Sequence, residues 1–297
     1  MGSSAQTQAS ISLPLYVAVV PAIAWAGNFV VLRFALDYFG PLALTALRFL
    51  IIGSTVLLFG WPKLPWKSIL LYAFLSAGGQ YTLSTLAVYA GLSPGLASLV
   101  MQGQVFFAVL LAYVALRERP GAGTMIGVLL GFSGLAVLTL SKGQAFSSVG
   151  FTICLAAAFF WAAASLQLRM MKWGNFFSLQ AASSLIAFPV LALLSWQLDK
   201  RPFNVEAIVH APFNAIGCLA YMSVVSLFIA QTIWGRLIAS HPVSSVTPFA
   251  LLIPAFGLAF AYFFLGDALT SLQYISCGVI LIGLAAHFFS VGRMKRA

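Results

Sequence analysis

The side chains able to do chemistry within this chain's apolar stretches are uncharged. Trp25 and Asn28 stand one helical turn apart, and Trp161 precedes Ser165 by one turn. Ser76, Gln80 and Ser84 form an i, i+4, i+8 stripe beside Tyr81 and Thr85. Ser223 and Gln231 share a later stretch, with Trp234 three residues on. Gln102 and Gln104 lie roughly 200° apart on a helix, so one of the two is expected to face a cavity. Amides and hydroxyls among aromatic rings can hold a polar molecule, but they do not break bonds. An unsatisfied amide in hydrocarbon costs about 2 kcal/mol or more, so these glutamines must pair between helices or meet water and a ligand. The candidate substrate-binding set is Trp25, Asn28, Gln80, Tyr81, Gln102, Trp161, Ser165, Ser223 and Gln231.

Catalysis would need paired carboxylates, an activated nucleophile or a cluster of metal ligands. Asp37, Glu118, Asp199, Glu206 and Asp267 all fall in expected loops or at helix ends, and His210, His241 and His287 belong to separate segments. Cys154, Cys218 and Cys277 lie inside apolar runs without metal-ligand spacing and are expected to pack. No catalytic residue, metal or cofactor is expected.

The elements that position these side chains must be membrane helices. Of 297 residues, 62% are hydrophobic and 7% charged, and the mean hydropathy is +1.02. A water-soluble domain would carry about a quarter charged residues. The apolar runs are continuous over about 20 residues, which fits helices and not the alternating strands of a barrel. Ten spans are expected, near 13–35, 42–60, 67–90, 94–115, 122–141, 149–171, 176–197, 211–235, 242–264 and 270–292. Residues 1–12 lack the pattern of a cleaved signal and are expected to be a disordered tail, with the first span retained. The net charge of +10 sits in short loops at helix ends, which speaks for a bilayer and against nucleic acid. Assigning loops alternately to two sides puts ten Lys and Arg with the termini and five opposite, at Arg33, Arg48, Lys142, Lys200 and Arg201. Both termini are therefore expected in the cytoplasm.

The chain also repeats a design. Pro94 and Pro242 each open an apolar run that carries a tyrosine, Tyr113 or Tyr262, and closes on charge, at Arg117-Glu118-Arg119 or Gly266-Asp267. Trp25 is followed eight residues on by Arg33, and Trp161 eight on by Arg169. The last span of each half is glycine-rich, with Gly127, Gly131 and Gly134 in one and Gly278 and Gly283 in the other. Five spans per half is an odd number, so the second half must enter from the opposite face. The expected fold is all-α integral membrane, ten transmembrane helices as two inverted five-helix repeats, 13–147 and 148–292, with a basic tail 293–297. Gly123, Gly127 and Gly131 form a ridge expected to pack within the chain. Pro248 and Pro254 withhold the donors that would bond the carbonyls of Ser244 and Ala250, which makes that helix a candidate hinge or kink.

These features together, over residues 13–292, resemble the EamA-type members of the drug/metabolite transporter superfamily, and within it most nearly the bacterial exporters of aromatic amino acids. The resemblance implies export of neutral or zwitterionic small metabolites by alternating access across a bacterial inner membrane. It implies a cavity among the first four helices of each half, with the fifth and tenth outside it. The small multidrug relatives hold cations with a glutamate in their first helix, where this chain has Trp25 and Asn28. With no acid, lysine or arginine expected at mid-membrane, transport is expected to be facilitated and not coupled to protons through a carboxylate. A monomer in the lipid bilayer is expected. Efflux of lipophilic drugs is the alternative, and a membrane scaffold or an embedded enzyme without recognisable catalytic groups is the alternative from another class.

Overall fold

The computed structural model describes residues 13–141, 145–171, 176–204, 206, 209–241 and 243–294. The expected tail 1–12, Lys142, Pro242 and the end of the basic tail, 295–297, lie outside the described residues. Among the described residues every regular element is helical and none is a strand. Among the described residues eight helices are long and apolar enough to cross a membrane: α1 Leu15–Ala35, α2 Pro41–Phe59, α3 Pro94–Leu116, α4 Ala122–Thr139, α5 Ser148–Met170, α6 Phe176–Leu198, α7 Phe213–Leu237 and α8 Ser271–Ser290. The other two expected spans fall on helical runs of uneven winding. Run 66–89 passes from α-helix into a π-helix at Ala73–Tyr81 and back. Run 243–265 combines a short turn, a 3-10 stretch at Thr247–Leu251 and the helix Leu252–Leu265.

Local chemistry explains where the helices begin and end. Pro41 and Pro94 open α2 and α3, where a missing N–H is no loss. Ser93 caps α3 by accepting the Leu96 N–H at 3.3 Å, and Ser147 caps α5 by accepting that of Gly150 at 3.1 Å. Asp199, just beyond α6, accepts the Ala43 N–H at 2.7 Å and so caps α2 from a distant part of the chain. Ser195 donates to the same carboxylate at 2.8 Å, tying the end of α6 to the start of α2. The exits of α3 and of Leu252–Leu265 close alike. Arg117 and Gly266 turn left-handed at φ 55° and 70°, and the next N–H reaches six residues back, Glu118 to Ala112 and Asp267 to Ala261.

Tertiary packing relies on close backbone approach, as expected where lipid gives helices no hydrophobic reason to associate. Gly53 of α2 meets the Leu185 backbone of α6. Gly127 of α4 lies against the Gly283 carbonyl of α8, and Gly123 against Ser290, so the glycine ridge faces a helix of the same chain. Gly131 faces both α8 and the Phe106 ring of α3. Gly278, by contrast, has open space where a side chain would stand.

Ions are paired at the rims. Arg169 bonds Glu118 with both terminal nitrogens, and Arg33 meets Asp37 at 2.6 Å. Asp267, in the connection before α8, has its carboxyl raised above the ordinary range by burial, an effect partly offset by Ser93 and the Arg33 charge.

Candidate functional site

A cavity of about 410 Å³ opens where α1, run 66–89, α3, α5, α7 and run 243–265 converge. Its volume is within the range of small-molecule sites. Eight of the nine expected binding residues line it: Trp25, Asn28, Gln80, Tyr81, Gln102, Trp161, Ser165 and Gln231. The ninth, Ser223, is fully buried away from the wall, and Ser226 takes its place there. Both serines lie in a second π-helix, Tyr221–Ile229, whose i→i+5 turns shift the phase that an α-helix would have kept.

The helix phase fails a second time at the two glutamines. Gln102 and Gln104 both line the cavity, although an unbroken helix would separate them. The reason is a turn at Met101–Gln102, where the segment Pro94–Val100 ends and Gly103–Leu116 begins.

Two side-chain contacts, one from a tryptophan and one from an amide, reach carbonyls in irregularly wound backbone. Trp25 Nε1 donates to the Ser226 carbonyl at 2.9 Å, inside the second π-helix, while its ring meets Trp234 edge-on at 5.4 Å. From the same π-helix Tyr221 returns a hydroxyl bond to the Ala24 carbonyl at 3.0 Å, and Gly27 leaves that hydroxyl its space. Gln102 Nε2 donates to the Ala250 carbonyl at 3.1 Å. This is the carbonyl whose α-helical donor Pro254 lacks, and Pro254 itself is buried. Pro248 falls within the first turn of the 3-10 stretch, so both hinge candidates coincide with altered winding.

The expectation of an uncharged interior needs correction. Arg48, assigned from sequence to a loop, is the eighth residue of α2, is 5% exposed and lines the cavity. Its guanidinium carbon lies 4.7 Å from the centre of the Tyr81 ring, a cation–π contact. The signal was present in the sequence: Arg48 stands inside LALTALRFLII, seven residues beyond Pro41, too deep for a loop. Removing it leaves four basic residues on the side opposite the termini, so the charge asymmetry persists. One residue of the last helix, Phe288, also borders the cavity, which the expected arrangement had left outside. No Asp, Glu, Lys or His lines this cavity among the described residues. Among them, too, no cluster of three metal-ligating side chains occurs.

Comparison with known proteins agrees with this architecture. The model of the EamA-like transporter family matches the chain twice, at residues 12–140 and 148–289. The chain is 31% identical over 288 residues to proteins of Salmonella typhimurium and Escherichia coli, each named a probable amino-acid metabolite efflux pump, covering 95% of this chain and 96% of theirs. It shares its fold with a protein of known crystal structure at 19% identity and a TM-score of 0.62, covering 91% of this chain and 94% of the other. The chain belongs to the EamA-like transporter family and is a multi-pass membrane transporter of small metabolites, not an enzyme.

Proposed function

We propose that the protein exports neutral and zwitterionic amino acids and related metabolites, aromatic and apolar ones foremost, by opening this cavity alternately to the two sides of a bacterial inner membrane. The observation that carries the reading is the wall itself: the rings of Trp25, Trp161 and Trp234 stand among the amides of Asn28, Gln80, Gln102 and Gln231. An aromatic amino acid offers a π-face to such rings and a hydrogen-bonding head to such amides. The relatives named as amino-acid metabolite efflux pumps support the substrate class.

Alternating access through two inverted five-helix halves, 13–147 and 148–292, is part of the reading. It is supported by the two π-helices, Ala73–Tyr81 and Tyr221–Ile229, which have the same length and stand 148 positions apart, like Pro94 and Pro242. Non-α winding at membrane depth is tolerated where it lines a cavity, which is where carriers of this kind bind and bend. With no carboxylate on the wall, the export runs downhill.

Counterflow of labelled phenylalanine, tryptophan and threonine in proteoliposomes tests the proposal, with and without a collapsed proton gradient. Exchange should persist in both conditions; no exchange of any amino acid would remove the reading. In the same assay Trp161→Ala should slow tryptophan and phenylalanine about fivefold while threonine changes little, because about 1 kcal/mol of ring stacking is lost only to the aromatic substrates. Equal losses for all three, at normal membrane abundance, would make Trp161 a support of the fold.

Both termini are assigned to the cytoplasm on the surplus of basic residues on their side. A cysteine at exposed Lys200 should then react with an impermeant thiol reagent outside intact cells, and one at exposed Arg119 should not. The reverse labelling would invert the orientation.

A further inference from the structure

Arg48 is the group that export of neutral molecules leaves unexplained. It lies about 10 Å along α2 from Pro41, deep in the apolar part of the helix. Its Nε is buried without a hydrogen-bond partner, and Arg48 makes no hydrogen bond or ion pair among the described residues. Of the five acids, Asp37 is held by Arg33, Glu118 by Arg169, and Asp199 by Ser195 and the start of α2, while neither Glu206 nor Asp267 borders the cavity. A buried cation without a counter-ion is costly, and such residues in membrane segments mark substrate or ion paths.

The geometry around it selects a planar anion. The guanidinium carbon lies over the Tyr81 ring, which is itself braced edge-on by Phe49 at 5.9 Å. This contact uses none of the guanidinium N–H groups, and those groups form a fork that matches a carboxylate bidentately. A second unsatisfied group borders the same cavity: Asn28 Oδ1 is buried and accepts no hydrogen bond. One wall thus offers an orphaned cationic donor and another an orphaned neutral acceptor. Among the described residues no acid borders the cavity to compete for the cation or to bind an ammonium strongly.

We infer that Arg48 is the carboxylate-binding residue of the cavity, and that the transported molecules are carboxylates with an N–H donor for Asn28, among which the ammonium group is the less essential half. This rests on the export reading and redefines its substrate class by the carboxylate: amino acids and the anionic N-acylated amino acids qualify, whereas the corresponding amides and amines do not.

Thermal stabilisation of the purified full-length protein by three probes, followed by their counterflow, tests the inference. The probes are phenylalanine, 3-phenylpropionate, which keeps the carboxylate alone, and phenylalanine amide, which keeps the ammonium alone. Phenylalanine and 3-phenylpropionate should bind, and the amide should bind at least about tenfold more weakly. Arg48→Gln should weaken both carboxylates about tenfold or more without changing the amide, and Arg48→Lys should restore part of the loss. If Arg48→Gln fails to fold, the wild-type series and Arg48→Lys decide. An amide that binds as well as phenylalanine, or a folded Arg48→Gln protein with unchanged phenylalanine affinity, overturns the assignment and leaves amino acid export standing. Binding of 3-phenylpropionate without phenylalanine would do the opposite, and failure of both carboxylates would remove both.

Discussion

Replacing Gly127 by leucine should leave almost no monodisperse protein to purify. A Cβ at this position would stand 2.6 Å from the Gly283 carbonyl oxygen and 2.8 Å from the His287 nitrogen, both backbone atoms of α8. The contact is reciprocal, since a Cβ at Gly283 would meet the Gly127 oxygen and the Gly131 nitrogen at 2.7 Å. Backbone cannot rotate away as a side-chain tip can, so α4 and α8 must separate along their length. Close packing is what holds helices together in lipid, and its loss here is expected to cost on the order of 4 kcal/mol or more. At Gly278 of α8 an added Cβ meets nothing within 4 Å, and Gly278→Leu should behave as wild type. Yield on size exclusion and the melting temperature in detergent check both; a Gly127→Leu protein that melts as wild type would mean that the seam is not tight in the membrane.

The second large effect is expected at the bond between Gln102 and Ala250. Gln102→Leu removes a donor of nearly the same size and leaves the Ala250 carbonyl, in run 243–265, without the partner that Pro254 cannot supply. The Ala250 carbonyl is half-buried beside the cavity, so losing this donor costs about 1 kcal/mol, which should appear as a lower melting temperature. The Pro254→Ala background gives the discriminating comparison. Alanine restores the N–H that can bond the Ala250 carbonyl in α geometry, so Gln102→Leu should cost about 1 kcal/mol less there than in the parent. Additive losses would show that the glutamine does not substitute for the missing helical donor. A coupling that is present would also make Gln102 a strut between α3 and run 243–265, so that bending at Pro254 is felt in the neighbouring helix.

How far the sequence reaches depends on which physical constraint is at work. Hydrocarbon forces every backbone group to be satisfied within a segment, so apolar runs of about 20 residues read as helices and Pro94 reads as the beginning of one. The same logic made Ala250 legible as a carbonyl in need, though not the identity of its donor. The expected polar stripe at Ser76, Gln80 and Ser84 does reach one cavity, because a stripe of this kind remains on one side even when the winding widens.

Phase and partners were another matter. Ser223 misses the wall and Gln104 joins it because a π-helix and a two-residue turn reset the angle per residue, and neither leaves a mark in hydropathy. Gly78-Gly79 sits in the first π-helix, where Phe160 presses into the space of the absent Gly79 side chain, but that contact exists only between helices. Arg48 was read as a loop charge because composition counts charges without saying what surrounds them.

By itself the sequence determined the membrane class, the helical segments and the polar residues too costly to leave in lipid, because these follow from the solvent and from neighbours a few residues away. Only the tertiary structure decided which of those residues meet, that Arg48 lies over Tyr81 with an orphaned Asn28 on the same cavity, and that Gln102 reaches Ala250. Those facts depend on helix rotation and on contacts between different helices, which no local pattern encodes.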